Sequence, residues 1–468
     1  MDTISILTCS FSIVILLAFL LSGFFMGRKV KNASEFDKGG KSAGTLLVAG
    51  NIIGTLAGGS STVGTAQLSF NFGLSALWFT LGAAIGCVVL AVFLVTPLRK
   101  SDCRTIVGMI SREYGEKTGT VAGVLSAFGI MINLVAQVLA ANALLLALFP
   151  INPSWCAVIS AAMMFLYVFG GVKGTGYLGI VKTILLYFTI IVSVCLCLIL
   201  SGGFSVFTEN LPHAQYFNLM ARGAGIDLGA GLSVVLGVIS TQTYVQTILS
   251  AKDDKSAKRG TLISAVIMVL IGLGSVLIGY FMKITVPDLT PSQAFPQFIK
   301  TYVPPFISQI MLIALLITVV GTGAGLSLGL SATISNDIVK KMLKDNAQKY
   351  NMLTISRLII AVALTFAVII TYSSLKSTIL TWGFMSMGLR AVVLMVPMLC
   401  ALFLPKKTNQ IAAIVSSAIG LVAMMIVFMT PISKQIDPLI VGMTVVFVIY
   451  FVNILWNNFL KNRRENNA

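Results

Sequence analysis

The chain has 468 residues, of which 57% are hydrophobic and only 10% are charged, and its mean hydropathy is +0.96. Soluble domains carry about 25% charged residues, so this composition excludes a soluble globular protein and indicates a protein that lies in a lipid bilayer. The net charge of +17 does not indicate a nucleic-acid partner, because the basic residues are spread over short loops between apolar runs. Basic residues in such loops set the orientation of membrane spans.

Thirteen apolar segments are long enough to cross a bilayer, since a spanning helix needs about 20 residues. Lys and Arg concentrate in alternate loops between these segments. This bias predicts a multi-pass protein of the cell (plasma or inner) membrane, with the amino terminus outside and the carboxyl terminus in the cytoplasm. The predicted spans are 4–26, 45–65, 74–98, 119–148, 154–171, 176–201, 228–250, 260–282, 305–334, 353–372, 377–404, 409–430 and 438–460.

The second span is interrupted by glycine and hydroxyl residues between Gly50 and Gln67. Hydrocarbon offers no hydrogen-bond partners to unwound backbone, so such a break survives only where it is buried in protein or lines a polar cavity. In secondary transporters, broken helices of this kind carry ion and substrate sites near the midplane. The pattern therefore predicts a small-ligand site within the membrane.

The seventh span carries a second interruption, where Gly229, Gly231 and Gly237 precede Ser240 and Thr241. The two interrupted spans are five spans apart, and an odd offset predicts an inverted repeat. The predicted organisation has five parts. They are a first helix with a cytoplasmic loop (1–44), a first repeat of five helices (45–201), an external loop (202–227), a second repeat of five helices (228–404), and two peripheral helices with a cytoplasmic tail (405–468).

A family resemblance rests on the order and spacing of five stretches. They are Gly40–Gly44 before the first break, Gly73–Trp78 after it, Gly170–Gly171 at the end of the fifth span, Thr241–Asp253 on the seventh span and Ser331–Asp337 at the end of the ninth. Over about residues 4–404 the chain resembles the sodium/solute symporter family. The resemblance implies an all-α membrane protein of the LeuT-type fold, with about 13 transmembrane helices, a five-plus-five inverted repeat and two broken helices.

The resemblance also implies a function, which is secondary active transport. We expect cation-coupled symport of a small polar organic solute by alternating access, with Na⁺ as the coupling ion. The cation is expected between the unwound second span and the ninth span, where oxygen atoms suit a small hard cation. Its ligands would be the carbonyls of Gly54, Ala57, Thr318 and Gly321 and the hydroxyl of Thr322. The solute would contact Gly58, Ser61, Thr62, Gln137, Thr241, Gln242 and Tyr244.

Two positions depart from the family pattern. The family usually has two adjacent hydroxyl residues on the ninth span, where this chain has Gly321 before Thr322, and it often has an acidic residue where this chain has Gly179. One turn beyond Gly179 lies Lys182. In some transporters of this fold a lysine amine replaces sodium, so Lys182 is a candidate coupling residue for a proton-coupled or sodium-independent carrier. The other interpretation is that Lys182 extends to the nearby cytoplasmic surface.

Arg390 lies near the middle of the eleventh span, and ionisable residues at that depth are costly and usually functional. No Asp or Glu lies deep within any predicted span to pair with it. Two interpretations remain. Either Arg390 binds a carboxylate of the solute, or it bonds backbone carbonyls and water.

Two other classes of function, a channel and a membrane enzyme, have weaker support from the sequence. A channel would need a continuous pore with a repeated selectivity element, and no such repeat is visible. A membrane enzyme would need paired carboxylates, a Cys/His pair or metal ligands within the spans, and His213 is the only histidine. We expect no enzyme activity, no cofactor beyond the coupling ion (Na⁺, with H⁺ as the alternative), no metal site other than Na⁺ and no required protein partner.

Overall fold

The computed structural model describes residues 10–17, 43–103, 105–168, 171–340 and 350–465. Within these ranges the regular structure is helical, apart from one isolated bridge between Ala43 and Ala251. The prediction of an all-α protein is therefore confirmed. Most of the first predicted span, 4–26, lies outside the described residues, of which 10–17 are helical.

Eight helices and three short turns of helix form the first half of the chain. The α-helices are α1 (Thr45–Leu56), α2 (Thr65–Phe72), α3 (Trp78–Val89), α4 (Val95–Lys100), α5 (Ile106–Tyr114), α6 (Glu116–Leu148), α7 (Pro153–Val168) and α8 (Gly171–Ser201). Two π-helical turns and one 3-10 turn join them at Ser60–Gly64, Leu90–Leu94 and Gly73–Leu77.

The second half begins with two short helices and continues with long ones. They are α9 (Ser205–Asn210), α10 (His213–Tyr216), α11 (Ala224–Ile239), α12 (Gln242–Ser250), α13 (Asp254–Thr285), α14 (Ala294–Tyr302), α15 (Pro305–Ala332), α16 (Met352–Ser374), α17 (Ile379–Phe403), α18 (Gln410–Met429) and α19 (Pro438–Glu465). Short turns of helix lie at Pro291–Gln293, Thr333–Val339 and Pro431–Lys434.

In the described part of the chain, nine helices are long and apolar enough to cross a membrane, or ten if the bent pair α11 and α12 forms one span. The predicted total of thirteen spans stays a prediction. Helices α6 and α15 lie in the interior, since 89% of their most apolar window is buried by protein. Only 28% is buried for α16 and α19, so these helices present their apolar side chains to lipid.

Both predicted helix breaks are observed. Helix α1 ends at Leu56, Ala57 is extended (φ −82°, ψ 97°) and helical structure resumes at Ser60. The second break lies between Ile239 and Gln242, where α11 and α12 meet at 41°. These breaks leave backbone groups free for other partners in the middle of the protein.

The predicted end of the second span is wrong. The second span was expected to end at residue 65, but α2 continues to Phe72. It ends there because Gly73 adopts a positive φ of 59°, and a Cβ at this position would lie 2.2 Å from the carbonyl oxygen of Tyr216. Glycine at this turn is needed both for the backbone conformation and for the close contact.

Candidate cation and substrate site

Gln137 on α6 holds the first break. Its Oε1 accepts a hydrogen bond from the backbone N–H of Gly59 at 3.0 Å, and its Nε2 donates to Asn133 Oδ1 at 3.1 Å. A Cβ on Gly58 would lie 2.8 Å from Thr322 Cγ2 and 2.9 Å from Gln137 Oε1. Glycine at position 58 therefore lets the unwound backbone approach both α6 and α15.

Two of the predicted substrate hydroxyls bond to their own segment. Ser61 Oγ donates to Gly58 O and accepts from Gly58 N, each at 3.0 Å, and Thr62 Oγ1 donates to Gly58 O at 2.9 Å. Ser and Thr commonly back-bond three or four residues toward the amino terminus. Their hydroxyls are therefore used to stabilise the break in this conformation.

The neighbouring Ser60 behaves differently. Its Oγ is buried and has no hydrogen-bond partner among the described residues. The hydroxyl lies against α17, because a Cβ on Gly383 would be 3.0 Å from Ser60 Oγ. A buried hydroxyl without a partner is costly, so Ser60 is a stronger candidate for a solute contact than Ser61 or Thr62.

The Lys182 amine lies at the predicted cation position. The side chain is only 3% exposed, and its Nζ donates to the carbonyl oxygen of Gly54 and to Thr322 Oγ1, the latter at 3.2 Å. Thr322 Oγ1 in turn donates to Ala57 O at 3.3 Å. The interpretation that Lys182 extends to the cytoplasmic surface is therefore wrong, because the amine points into the core.

Gly321 provides the space for this lysine. A Cβ at position 321 would lie 3.2 Å from Lys182 Cδ and 3.4 Å from the hydroxyl oxygen of Tyr167. One turn earlier on α15, Thr318 Oγ1 donates to Ala314 O at 2.8 Å. The Thr318 hydroxyl is therefore used within its own helix.

The Lys182 amine uses oxygens that were predicted to bind sodium. The oxygens of Gly54, Ala57 and Thr322 converge as the sequence predicts, but the Lys182 amine is bonded to two of them. An ammonium and a sodium ion carry the same charge, and at hydrogen-bond distance their repulsion in a low-dielectric interior is large. Sodium would bind these oxygens only if the amine moved away.

Thr241 and Arg390 meet at the second break. Arg390, on α17, is 1% exposed, and its Nη1 donates to Thr241 Oγ1 at 2.8 Å. Its Nε donates to Ser386 O at 3.1 Å, and its Nη2 contacts Ser386 Oγ at 3.2 Å and Met387 Sδ at 3.1 Å. These contacts agree in part with the second interpretation of Arg390, since one acceptor is a backbone carbonyl.

Gln242, the first residue of α12, bonds to α5. Its Oε1 accepts from the backbone N–H of Ile106 at 2.8 Å and so caps α5. Its Nε2 is buried without a hydrogen-bond partner in the described part of the chain. Tyr244 is 2% exposed and lies within electrostatic range of Arg390. Gln242 is therefore placed as a connection between α12 and α5, while Tyr244 stays beside the second break.

Sequence reasoning missed or ranked low three polar residues at the site. Spacing does not separate Ser60 from Ser61 and Thr62, because each of the three has carbonyls three and four residues before it. Ser386 lies one turn before Arg390, and a search for polar residues on that helix face would have found it. Tyr167 gives no such signal, since its place beside Gly321 depends on the packing of α7 against α15.

Comparisons with known proteins concern the family and the fold of the chain. The model of the sodium:solute symporter family matches residues 36–454. A high-affinity choline transporter 1 of Caenorhabditis elegans is 22% identical over 439 residues, covering 87% of this chain and 75% of the relative. An uncharacterized symporter, YwcA, of Bacillus subtilis is 26% identical over 307 residues, covering 60% and 58%.

Solved structures show the same fold. A substrate-bound, outward-open Na⁺-coupled sialic acid symporter aligns with a TM-score of 0.77 at 15% identity, covering 98% of each chain. The nucleobase-cation-symport-1 family transporter Mhp1, in a closed conformation, aligns with a TM-score of 0.55 at 14% identity, covering 89% of this chain and 93% of Mhp1. At such identities the likeness concerns the fold, and it confirms the predicted LeuT-type architecture. The family match confirms the predicted class of function, cation-coupled secondary active transport, and the chain belongs to the sodium:solute symporter family.

Proposed function

We propose that this chain carries a small polar solute across the membrane by alternating access, with the Lys182 ammonium in the place of the coupling cation. One observation carries the proposal: the buried amine donates to Gly54 O on α1 and to Thr322 Oγ1 on α15. A positive charge here satisfies the unwound end of α1 and joins it to α15, as a bound cation would.

The coupling follows from the covalent attachment of the amine. A bound sodium ion leaves with the solute, whereas Lys182 can release only its proton. Loss of that proton would weaken the contacts to Gly54 and Thr322 and allow α1 and α15 to separate. Uptake is then proton-coupled, or needs no ion if the amine stays protonated throughout the cycle.

Sodium-coupled symport is the second candidate, and family membership favours it. It requires Lys182 to leave Gly54 O and Thr322 Oγ1 before sodium binds, so that the carbonyls of Gly54, Ala57, Thr318 and Gly321 and the Thr322 hydroxyl become ligands. The two candidates differ in one observable property. Sodium-coupled uptake stops when sodium is removed. Uptake in which the Lys182 ammonium takes the place of the cation continues without sodium.

We propose that the solute lies between the two helix breaks. It contacts Ser60 and Gln137 at the first break and Thr241 and Tyr244 at the second. Gly58, Ser61 and Thr62 shape the first break, and Gln242 caps α5. Relatives of this chain are named for choline, and a structural neighbour is named for sialic acid, so both a cationic and an acidic solute are candidates.

We propose the orientation given by the loop charges, with the amino terminus outside, and a cell-membrane location.

A transport assay in proteoliposomes tests the proposal. A thermal-shift screen of metabolites, run with and without sodium, identifies a solute, since a ligand of the native state stabilises it. Saturable counterflow of that solute then establishes a carrier. Uptake is finally compared under a sodium gradient, a proton gradient, both and neither.

We expect counterflow in all conditions, and accumulation that is unchanged when sodium is replaced by N-methyl-D-glucamine. Lys182→Met should lose any dependence on the proton gradient. Lys376→Met, which changes an exposed lysine in the same way, should behave like the wild type. Full dependence of uptake on sodium would contradict the role of Lys182, and absence of counterflow would contradict the carrier.

A further inference from the structure

Arg390 has no counter-ion among the described residues. It is 1% exposed, and the ion pairs of the described ranges are Arg99–Asp254 and Arg222–Asp227. A buried charge without a partner is costly, and an ionisable residue inside a membrane protein commonly marks a binding site. The charge at this position therefore calls for an explanation beyond packing.

The neutral contacts of Arg390 leave part of its hydrogen-bonding capacity unused. Thr241 Oγ1 and Ser386 Oγ each donate to a backbone carbonyl, so both turn lone pairs toward the guanidinium. Together with Ser386 O they supply three oxygen acceptors for five N–H groups. The remaining contact, from Nη2, is to the thioether of Met387, which is a weak acceptor.

In the described part of the chain, the buried charges next to the two helix breaks are both positive. Lys182 donates to the carbonyl oxygen of Gly54, in the last turn before the first break, and Arg390 donates to Thr241 at the second, and neither has an ion pair in the described ranges. Buried charges of one sign attract ligands of the opposite sign and repel those of the same sign. This pattern favours an anion near the second break and opposes a quaternary ammonium there.

We propose that Arg390 forms an anion site at the second helix break, which binds either the carboxylate of the transported solute or an inorganic anion such as chloride. The anion replaces the Met387 thioether as the acceptor for Nη2 and also accepts a hydrogen bond from the N–H of the guanidinium that has no partner. This is the bidentate geometry in which arginine binds carboxylates. This inference rests on the proposed function for the location of the solute between the two breaks.

Thermal unfolding of the purified full-length chain tests the anion site. The probes are sodium lactate, sodium acetate and sodium chloride, each compared at constant ionic strength with sodium methanesulfonate. Lactamide and acetamide serve as neutral counterparts of the two carboxylates, and choline methanesulfonate probes a cationic solute. We expect one carboxylate, or chloride, to raise Tm by about 3 °C or more at saturation, while its neutral counterpart and choline do not.

Variants connect that shift to Arg390. Arg390→Gln should abolish the rise in Tm. Arg390→Lys should weaken the apparent affinity for the anion at least tenfold, because lysine keeps the positive charge but lacks the two parallel N–H donors of the guanidinium. The matched control Arg259→Gln changes an exposed arginine and should keep the full shift. Met387→Leu removes the thioether and should keep or strengthen binding. If Arg390→Gln does not fold, Arg390→Lys and Met387→Leu still decide the question.

The outcomes separate the sources of the anion. A shift with chloride alone indicates an inorganic anion, and a shift with a carboxylate but not with chloride indicates the solute. No shift with any anion, or a shift of the same size in Arg390→Gln or Arg390→Lys, would overturn the proposal. Counterflow of a neutral or cationic solute without any anion effect would leave the proposed carrier function intact and remove only this inference.

Discussion

The side chain of Lys182 runs past Gly321, at a point where a Cβ would lie 3.2 Å from Lys182 Cδ and 3.5 Å from its Nζ. The missing side chain at Gly321 and the lysine at position 182 therefore form one structural feature. The position that usually carries a hydroxyl has lost its side chain, and the amine of Lys182 fills the space beside it. This relationship explains why the oxygens of Gly54 and Thr322 are bonded to an amine.

Removing the amine and adding the hydroxyl should rebuild a sodium site. In the double variant Lys182→Met, Gly321→Ser, we expect sodium to stabilise the protein by about 2.7 kcal/mol at one hundred times its Kd. Wild type should show no sodium-specific stabilisation relative to N-methyl-D-glucamine. Lys182→Met combined with Gly325→Ser is the matched control, and it should bind sodium more weakly than the double variant because it lacks the hydroxyl at position 321; a Cβ at Gly325 meets only Thr55 Cγ2 at 3.7 Å. Equal sodium stabilisation in wild type and double variant would contradict the account.

Substitutions of Ser60 and Ser61 should have different effects, one on solute binding and the other on stability. Ser60→Ala removes a buried hydroxyl without a partner, so the free energy of unfolding should stay the same or rise, while the affinity for the solute falls. Ser61→Ala removes both bonds to Gly58 and should lower the free energy of unfolding by about 1 kcal/mol. Thermal unfolding and counterflow measure the two effects. The reverse pattern would assign the solute contact to Ser61.

Gln137 should be needed to hold the first break. Gln137→Met keeps the size of the side chain but leaves the N–H of Gly59 without its acceptor, which should cost about 1–3 kcal/mol of stability. Gln297→Met is the matched control at a partly exposed position, where a change within about 0.5 kcal/mol is expected. Chemical unfolding of the two variants compares them directly. Equal stability would show that another group satisfies Gly59.

Asp437, just before α19, should give a pH-dependent stability. Burial raises the pKa of this carboxyl to about 6, although it accepts hydrogen bonds from Leu439 N and Ser233 Oγ. Since the folded pKa lies above the usual 3.8, the folded state binds the proton more tightly. The free energy of unfolding therefore falls as pH rises from about 4 through 6 and Asp437 ionises, by at most about 3 kcal/mol.

Asp437→Asn should remove most of that loss, because the amide oxygen still accepts from Leu439 and the group no longer ionises. Asp288→Asn, at an exposed carboxyl, should leave the pH profile of Tm as in wild type. The comparison is made between pH 4 and pH 7. A wild-type profile that is matched by Asp437→Asn would show that Asp437 does not cause the pH dependence.

The positions of the two helix breaks could be predicted from the sequence, because glycine and hydroxyl residues inside an apolar segment indicate backbone that needs other partners. The converging oxygens of Gly54, Ala57 and Thr322 followed from the family resemblance. The boundary at residue 65 could not be placed correctly, since it depends on the contact between Gly73 and Tyr216.

The partners of long polar side chains were harder to predict, because they lie far away in the sequence. Gln242 was predicted to contact solute, and this stays a prediction; its Oε1 caps α5 at Ile106, which is 136 residues away. Lys182 had two interpretations from the sequence, and only the packing of α8 against α1 and α15 directs its amine toward Gly54. Local patterns do not determine such contacts, since they depend on which helices pack together.

Direct measurement of sodium binding tests the central claim, that the Lys182 amine takes the place of the coupling cation. Radioactive sodium is titrated onto purified wild type and Lys182→Met, with Lys376→Met as the control. We predict no saturable sodium binding to wild type or to the control in the millimolar range, and a gain of binding in Lys182→Met. Saturable binding to wild type that Lys182→Met weakens or leaves unchanged would contradict the account.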